Sequence, residues 1–295
     1  MIQNIIWSKG PVRDDYSSFP TESTVQEQYI INKMSSTDSI LWIRNTSQIF
    51  PAVTDLDVVS NNLMYIKQSI ILITSDGDRP VPSSYQKDVV DRILQSDKII
   101  YWYTQNYDGS IRDSKLKHMP IGLDLHTSQW LINNSVHNKI MYLIQKRREP
   151  VNKITDKIFI DAHLSVTHQE RSEIFHLVKD SKHKDIHFLK ERVPFQTITD
   201  MYNKYQFVIS PRGNGLDCHR TWELFLAGCI VITKTSSLDE MFISNHLPVV
   251  ILNDWTELLC HDLHLKMKEW YQKYIHYTSV DHIYPKMSFD YWIQM

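Results

Sequence analysis

The sequence predicts an α/β protein made of two Rossmann-like, doubly wound domains facing a cleft. Three observations predict it. Short apolar runs of strand length alternate with amphipathic stretches along most of the chain. The alternation stops at a polar, basic stretch, QKRREPVNK, and restarts after Pro150, a natural boundary. The chain has 295 residues, enough for two modest domains at roughly 150 residues each. The expected division is one domain over residues 1–150, a second over 151–270, and a strap over 271–295 that packs back on the first domain.

In the first half, the runs SILWI (39–43), IILIT (70–74) and KIIYWY (98–103) are strand candidates. Val89, Val90, Ile93 and Leu94 recur at helical spacing between the last two. KHMPIG (117–122) reads as a short extended segment and a turn. The stretch from about 128 to 157 reads as a helix followed by a linker. In the second half, KIFID (157–161), residues 185–189, QFVIS (206–210), residues 229–233 and residues 248–252 are strands. Helices are expected over 168–178, 197–205, 218–227 and 257–274.

Composition excludes several classes. The 32 Lys and Arg balance 34 Asp and Glu, whereas a general nucleic-acid binder is usually basic. No apolar run approaches the roughly 20 residues needed to span a bilayer. The N-terminal stretch has neither a basic lead nor a long apolar core, so a cytoplasmic chain is expected. Three cysteines without a CxxC pair argue against a disulfide framework or a structural zinc site. Low Gly with abundant Ile, Asn, Lys and Tyr fits an AT-rich genome, such as that of a large virus.

The densest chemistry lies in QFVISPRGNGLDCHRTWELFLAGCIVIT, residues 206–233. A buried strand runs into Ser210, Pro211 and Arg212, then the loop Gly213-Asn214-Gly215, and a helix begins near Asp217. Glycines permit close approach of a ligand to the backbone, and a helix N-terminus offers unpaired N–H groups and the positive end of a dipole. Arg212, His219 and Arg220 add positive charge or donors, and the planar guanidinium fork suits a diphosphate. Glu223 shares a helix face with His219 and Arg220 and could accept bonds from ribose hydroxyls. The ordinary alternative is a surface Arg–Glu pair. The loop is not a Walker A, having no Gly-Lys-Ser/Thr, and it lacks the third glycine of GxGxxG.

These residues resemble the signature of exostosin-like glycosyltransferases, a family with the GT-B fold. In that family an apolar strand leads to Ser/Val-Pro-Arg-Gly-x-Gly, then Arg, then Glu one turn on, then a Gly-Cys-Ile strand. The matching positions are Ser210, Pro211, Arg212, Gly213, Gly215, Arg220, Glu223, Gly228, Cys229 and Ile230, with Val231 where the family usually has Pro. KTSSLDEMF, with Ser236 and Ser237, is similar to the family's loop beside the donor. SDGDRPVP, WYTQN and HMPIGLD are similar to the N-terminal half of related microbial and viral glycosyltransferases. The specific match covers about 50 residues. It implies a nucleotide-diphosphate sugar as donor, UDP-linked in preference to GDP-linked, and hexosyl or pentosyl transfer to a glycan or other hydroxyl acceptor. It also implies Glu223 at the ribose, Arg212 and Arg220 at the diphosphate, and no obligatory metal.

Other residues are weaker candidates. Inverting transfer needs a base for the acceptor hydroxyl; Asp76, Asp78, Asp124 and His126 are the candidates, each also readable as an ordinary loop residue. Asp76-Gly77-Asp78 is a DxD, the motif that holds a divalent cation in metal-dependent GT-A transferases. Asp55-Leu56-Asp57 matches as well, and a plain Asp/Gly turn is the simpler reading. Gln105 and Asn106 could bind acceptor hydroxyls. Asp161, His163 and Arg171 flank the turn after the second half's first strand, where Arg171 could reach phosphate. None of the 14 histidines has HExxH spacing, and no residue is assigned to a metal. The competing readings are a GT-A-like enzyme using Asp76 and Asp78, and a non-catalytic nucleotide- or carbohydrate-binding module.

Overall fold

A computed structural model describes residues 4–11, 27–45, 52–127, 131–133, 135–161, 168–189 and 191–293. His163 lies outside them. The chain divides into two compact units. The first comprises Ile6–Ile121 and Asn214–Asp217; the second comprises Met1–Ile5, Gly122–Gly213 and Cys218–Met295.

The first unit contains α1 (Glu27–Met34), β1 (Ile40–Arg44), α2 (Asp55–Asn61), β2 (Ile70–Ser75), α3 (Lys87–Gln95), β3 (Ile99–Thr104) and β4 (Leu116–His118). Its four strands are parallel, in the order β1-β2-β3-β4. Every residue of β2 is buried, as a central parallel strand requires. Because the strands are laid down in sequence, right-handed crossovers keep the helices on one face. There Ile30 and Met34, Leu56 and Val59, and Val89, Val90 and Ile93 share one core with Ile43 and Leu72. Asp55-Leu56-Asp57 is the start of α2: Asp57 Oδ2 accepts from Thr54 N at 2.7 Å, and Thr54 Oγ1 accepts from Asp57 N at 3.1 Å. This DxD is therefore a capping box.

The second unit contains α4 (Val136–Lys146), β5 (Ile154–Ile160), α5 (Gln169–Ser181), β6 (Ile186–Phe188), α6 (Phe195–Lys204), β7 (Tyr205–Ile209), α7 (His219–Leu226), β8 (Ile230–Lys234), α8 (Asp239–Ser244), β9 (Val249–Leu252), α9 (Leu263–Tyr274), α10 (Val280–Lys286) and α11 (Phe289–Trp292). Its five parallel strands run β6-β5-β7-β8-β9. The direction of winding therefore reverses between β5 and β7, and helices cover both faces. Ile158, Ile160, Phe207, Ile209, Ile230 and Ile232 point to a core shared with Ile174 and Val178 of α5 and Met267 of α9. Phe159 points the other way, stacked on Tyr205 and edge-on to Tyr202 of α6.

The division falls at residue 121, well before the expected 150, and the physical reason is a pair of cations, one half-buried and one buried. Arg147 Nη1 donates to Leu226 O at 2.8 Å and its Nη2 donates to Thr278 O. Lys153 Nζ donates to Ala227 O at 2.7 Å. A run that reads as a solvated linker instead caps the carboxyl end of α7, where unpaired carbonyls favour positive charge. The last residues belong to the second unit: Trp292 packs edge-on against Trp222, and Phe289 N donates to Asn4 O at 2.8 Å. The helix expected over 257–274 is broken. Asp254 and Glu257 form a capping box on the short turn Trp255–Leu259, Cys260 is extended, and α9 starts afresh at Leu263.

Candidate functional site

In an open parallel sheet, ligands bind beyond the carboxyl ends of the strands where the winding reverses. In the second unit that point lies between β5 and β7. Asp161 follows β5, and Ser210, Pro211 and Arg212 follow β7. Ser210 N continues the ladder to Ile232 O at 2.9 Å, and its hydroxyl lies 2.9 Å from Thr221 Oγ1 of α7. Arg171, near the start of α5, donates from Nε to Arg212 O at 2.9 Å, while Arg212 N donates to Glu170 Oε1 at 3.2 Å. The amino end of α5 thus holds the loop after β7 from both sides.

Arg220 is the group at this point best placed to meet an anion. Its Nη2 is 3.3 Å from Asp161 Oδ2, which also accepts from the Tyr202 hydroxyl at 2.6 Å. Burial works against the guanidinium charge, but Asp161 outweighs it and raises the Arg220 pKa. Burial and the same carboxylate push Tyr202 well above the usual phenol range. Among the described residues, the buried Arg220 Nη1 has no hydrogen-bond partner. A buried N–H without a partner is costly, and in a site it marks where an acceptor belongs.

Side chains crowd the two glycines of the loop. A Cβ at Gly213 would sit 3.1 Å from Arg171 Nη2, and Gly213 N donates to Cys218 Sγ at 2.9 Å. Gly215 belongs to the first unit, where a Cβ would sit 3.0 Å from the Asn106 amide. Asn106 is occupied there: Oδ1 accepts from Asp217 N at 3.0 Å and Nδ2 donates to Gly77 O at 2.8 Å. Gln105 Nε2 donates to Gly77 O at 3.0 Å and its Oε1 accepts from Asp76 N at 3.1 Å. Asp217 Oδ2 accepts from Ile121 N at 2.7 Å. Both candidate acceptor amides and Asp217 are thus bound into loops of the first unit. Ser236 lies in the turn before α8, accepting from Leu238 N at 3.2 Å and donating its own N–H to Asp239 Oδ1 at 3.0 Å, with Ser237 beside it after β8.

The four base candidates separate. Asp76 is buried at φ +64, 3.2 Å from Arg44 Nε and 3.4 Å from Lys9 Nζ, and Asp78 lies half-buried two residues on. Asp124 and His126 belong instead to the second unit, with His126 Nδ1 3.3 Å from Asp124 Oδ1. Asp124 Oδ1 also accepts from Thr127 N at 3.0 Å. Burial would raise the Asp124 carboxyl, but His219, His126 and Lys139 outweigh it and lower the pKa.

His219 joins this second group. Its Nδ1 lies 2.9 Å from Gly122 O, and its ring centroid is 5.3 Å from that of His126. Burial, partly offset by Asp124, lowers its pKa to about 4, so the ring is neutral at pH 7. Glu223 is drawn the same way. Its Oε1 lies 3.1 Å from Nζ of Lys139, a fully buried lysine of α4 that also donates to Asp124 O. Burial raises the Glu223 carboxyl, with Lys139 opposing. Sequence reasoning missed Lys139. The available signal was its spacing: it sits four residues before buried Leu143, on the apolar stripe of α4.

No protein-family model matches the chain, and no curated protein sequence matches it. Among solved structures, similarity is found to WaaG, a glycosyltransferase involved in lipopolysaccharide biosynthesis, at 10% identity and TM-score 0.35, covering 94% of this chain and 98% of that one. The GtfA/B complex is similar at 9% identity and TM-score 0.43, covering 87% of this chain and 57% of that chain. The pneumococcal O-GlcNAc transferase GtfA, solved with UDP and GlcNAc, is similar at 8% identity and TM-score 0.35, covering 88% of this chain and 55% of that one. At these values the site has to be argued from its own residues. Among the described residues, no helix is long and apolar enough to cross a membrane.

Proposed function

We propose that the chain is a glycosyltransferase of the GT-B type that takes a nucleotide-diphosphate sugar, with UDP preferred to GDP, and passes its hexosyl or pentosyl group to a glycan or other hydroxyl acceptor. The observation that carries this reading is Arg220: a largely buried guanidinium, held charged by Asp161 at the reversal point of the sheet, whose Nη1 meets no acceptor among the described residues. In this reading the diphosphate accepts from Arg220 Nη1, from Arg212 and from the amino end of α7. Charge that develops on the leaving diphosphate would meet donors already in place, the usual source of much of the rate in such transfers. Ser210, Pro211, Gly213 and Arg171 shape that loop, and Ser236 and Ser237 lie after the neighbouring strand. Glu223 keeps Oε2 for a ribose hydroxyl while Oε1 stays with Lys139.

For the acceptor proton, the Asp124–His126 pair is the stronger choice, since an imidazole oriented by a carboxylate is a recurrent general base. Asp76 already faces two cations, which removes the support for a GT-A reading in which it holds a metal. No obligatory metal is required. Isothermal calorimetry tests the proposal with UDP and GDP on the wild-type chain and on Arg220→Gln. Losing a charged hydrogen bond of about 1.5–3 kcal/mol should weaken nucleotide binding roughly 10- to 150-fold. Equal affinity in both proteins would defeat the assignment.

A further inference from the structure

Asp124, His126 and His219 were assigned separately, two as base candidates and one as a donor contact, but the fold brings them into one cluster. Each offers one ligand atom, and those atoms lie within 4.8 Å of one another. We propose that Asp124, His126 and His219 bind a borderline divalent cation of the zinc class, which silences the reaction by occupying the base.

Three features support a cation. Two imidazoles and a carboxylate are a donor set for first-row divalent metals, and three protein ligands leave a fourth position for water. His219 is already oriented: against a carbonyl oxygen, Nδ1 must be the N–H donor, so the lone pair of the neutral ring lies on Nε2. A histidine ligand fixed through its other nitrogen by a backbone carbonyl is the common arrangement at metal sites. The local charge also fits. Glu223 lies 3.1 Å from the Lys139 ammonium and offsets its charge, and the Asp124 carboxylate supplies negative charge beside the metal.

Metal–ligand bonds of about 2.0–2.2 Å place tetrahedral ligand pairs about 3.4 Å apart, so a pair at the 4.8 Å limit must close by about 1.4 Å. His126, which is exposed, is the residue able to make that move. Cation binding stands independently of the transferase reading; its inhibitory consequence rests on that reading.

The test uses the full-length chain stripped of metal. Zn2+ is titrated by calorimetry, and Co2+ is followed by visible absorption, which reports four-coordinate geometry. One Zn2+ per chain is expected, at least tenfold weaker in His126→Gln and in Asp124→Asn, with Mg2+ failing to compete. His126→Gln alters an exposed side chain, and circular dichroism verifies its fold. Absence of Zn2+ binding, or equal binding in both variants, would overturn the site. The second arm measures sugar transfer from a UDP-sugar. Inhibition by one equivalent of Zn2+, reversed by EDTA, is expected; full activity with the site filled would overturn the inhibitory role. A chain that binds Zn2+ but no nucleotide would reject the transferase reading and leave the metal site standing.

Discussion

Each of the two sheets carries a buried Arg–Asp pair just beyond its strands, and the two pairs differ in what surrounds them. In the first unit Asp76 follows β2 and is met by both Arg44 and Lys9, and the neighbouring Gln105 and Asn106 amides are spent on the same loops. In the second unit Asp161 follows β5 and meets Arg220, whose Nη1 has no hydrogen-bond partner among the described residues. The strand orders differ in step. The first sheet runs in sequence and has no reversal; the second reverses between β5 and β7, and its pair lies at the reversal. What separates the two pairs is position: one lies at a strand end of a sheet that runs in sequence, the other at a reversal of winding, where open parallel sheets bind ligands.

That contrast can be broken by experiment. Asp76→Asn and Asp161→Asn each leave a buried arginine without its charge partner, which should cost about 3–5 kcal/mol in urea unfolding. Only Asp161→Asn should alter UDP affinity measured by calorimetry. Equal loss of UDP binding in both variants would erase the distinction between the two units.

Lys139→Met tests the charge network behind the second site. It strands Glu223 in a buried setting, and about 2–4 kcal/mol should be lost at pH 7. Because burial already raises the Glu223 carboxyl, much of that loss should be recovered as the pH is lowered and the group takes up a proton. A pH-independent loss would mean that Lys139 acts through packing alone.

The glycines test which group requires the close approach. Gly215→Ala places a Cβ 3.0 Å from the Asn106 amide, and overpacking of this kind costs about 1–3 kcal/mol. If the contact with Asn106 is the cause, the double variant Gly215→Ala with Asn106→Ala should recover part of that loss in thermal melts. Failure of the smaller partner to relieve the cost would leave close approach to a ligand as the reason for the glycine.

The smallest expected effect is a pH dependence from His219. Its folded pKa, about 4, lies below the ordinary value of 6.5, so the unfolded chain takes up the proton first. Stability is then full above pH 6.5 and falls as pH drops toward 4. Each pKa unit is about 1.4 kcal/mol at most, and partial solvent contact reduces the total to about 1 kcal/mol. Urea midpoints of wild type and His219→Gln should converge across that window; parallel curves would contradict the neutral ring.

The sequence by itself determined the α/β class, the strand runs and the strand–loop–helix around Arg212 and Arg220. These follow from local patterns: a buried parallel strand is a continuous apolar run, and a helix over residues 218–227 declares itself by its own periodicity. Lys139, Arg147 and Lys153 were not legible as structural residues, because charge in a sequence usually means solvent. Only the folded chain supplies the carbonyls and the carboxylate that make their burial favourable. The same holds for the assignment of roles. Glu223, His219, Asp124 and His126 are far apart along the chain or differently labelled by local context, and only the tertiary structure gathers them around one buried lysine. Local pattern is set by neighbours a few residues away, while a site is set by groups that meet through space, and strand order decides which of them meet.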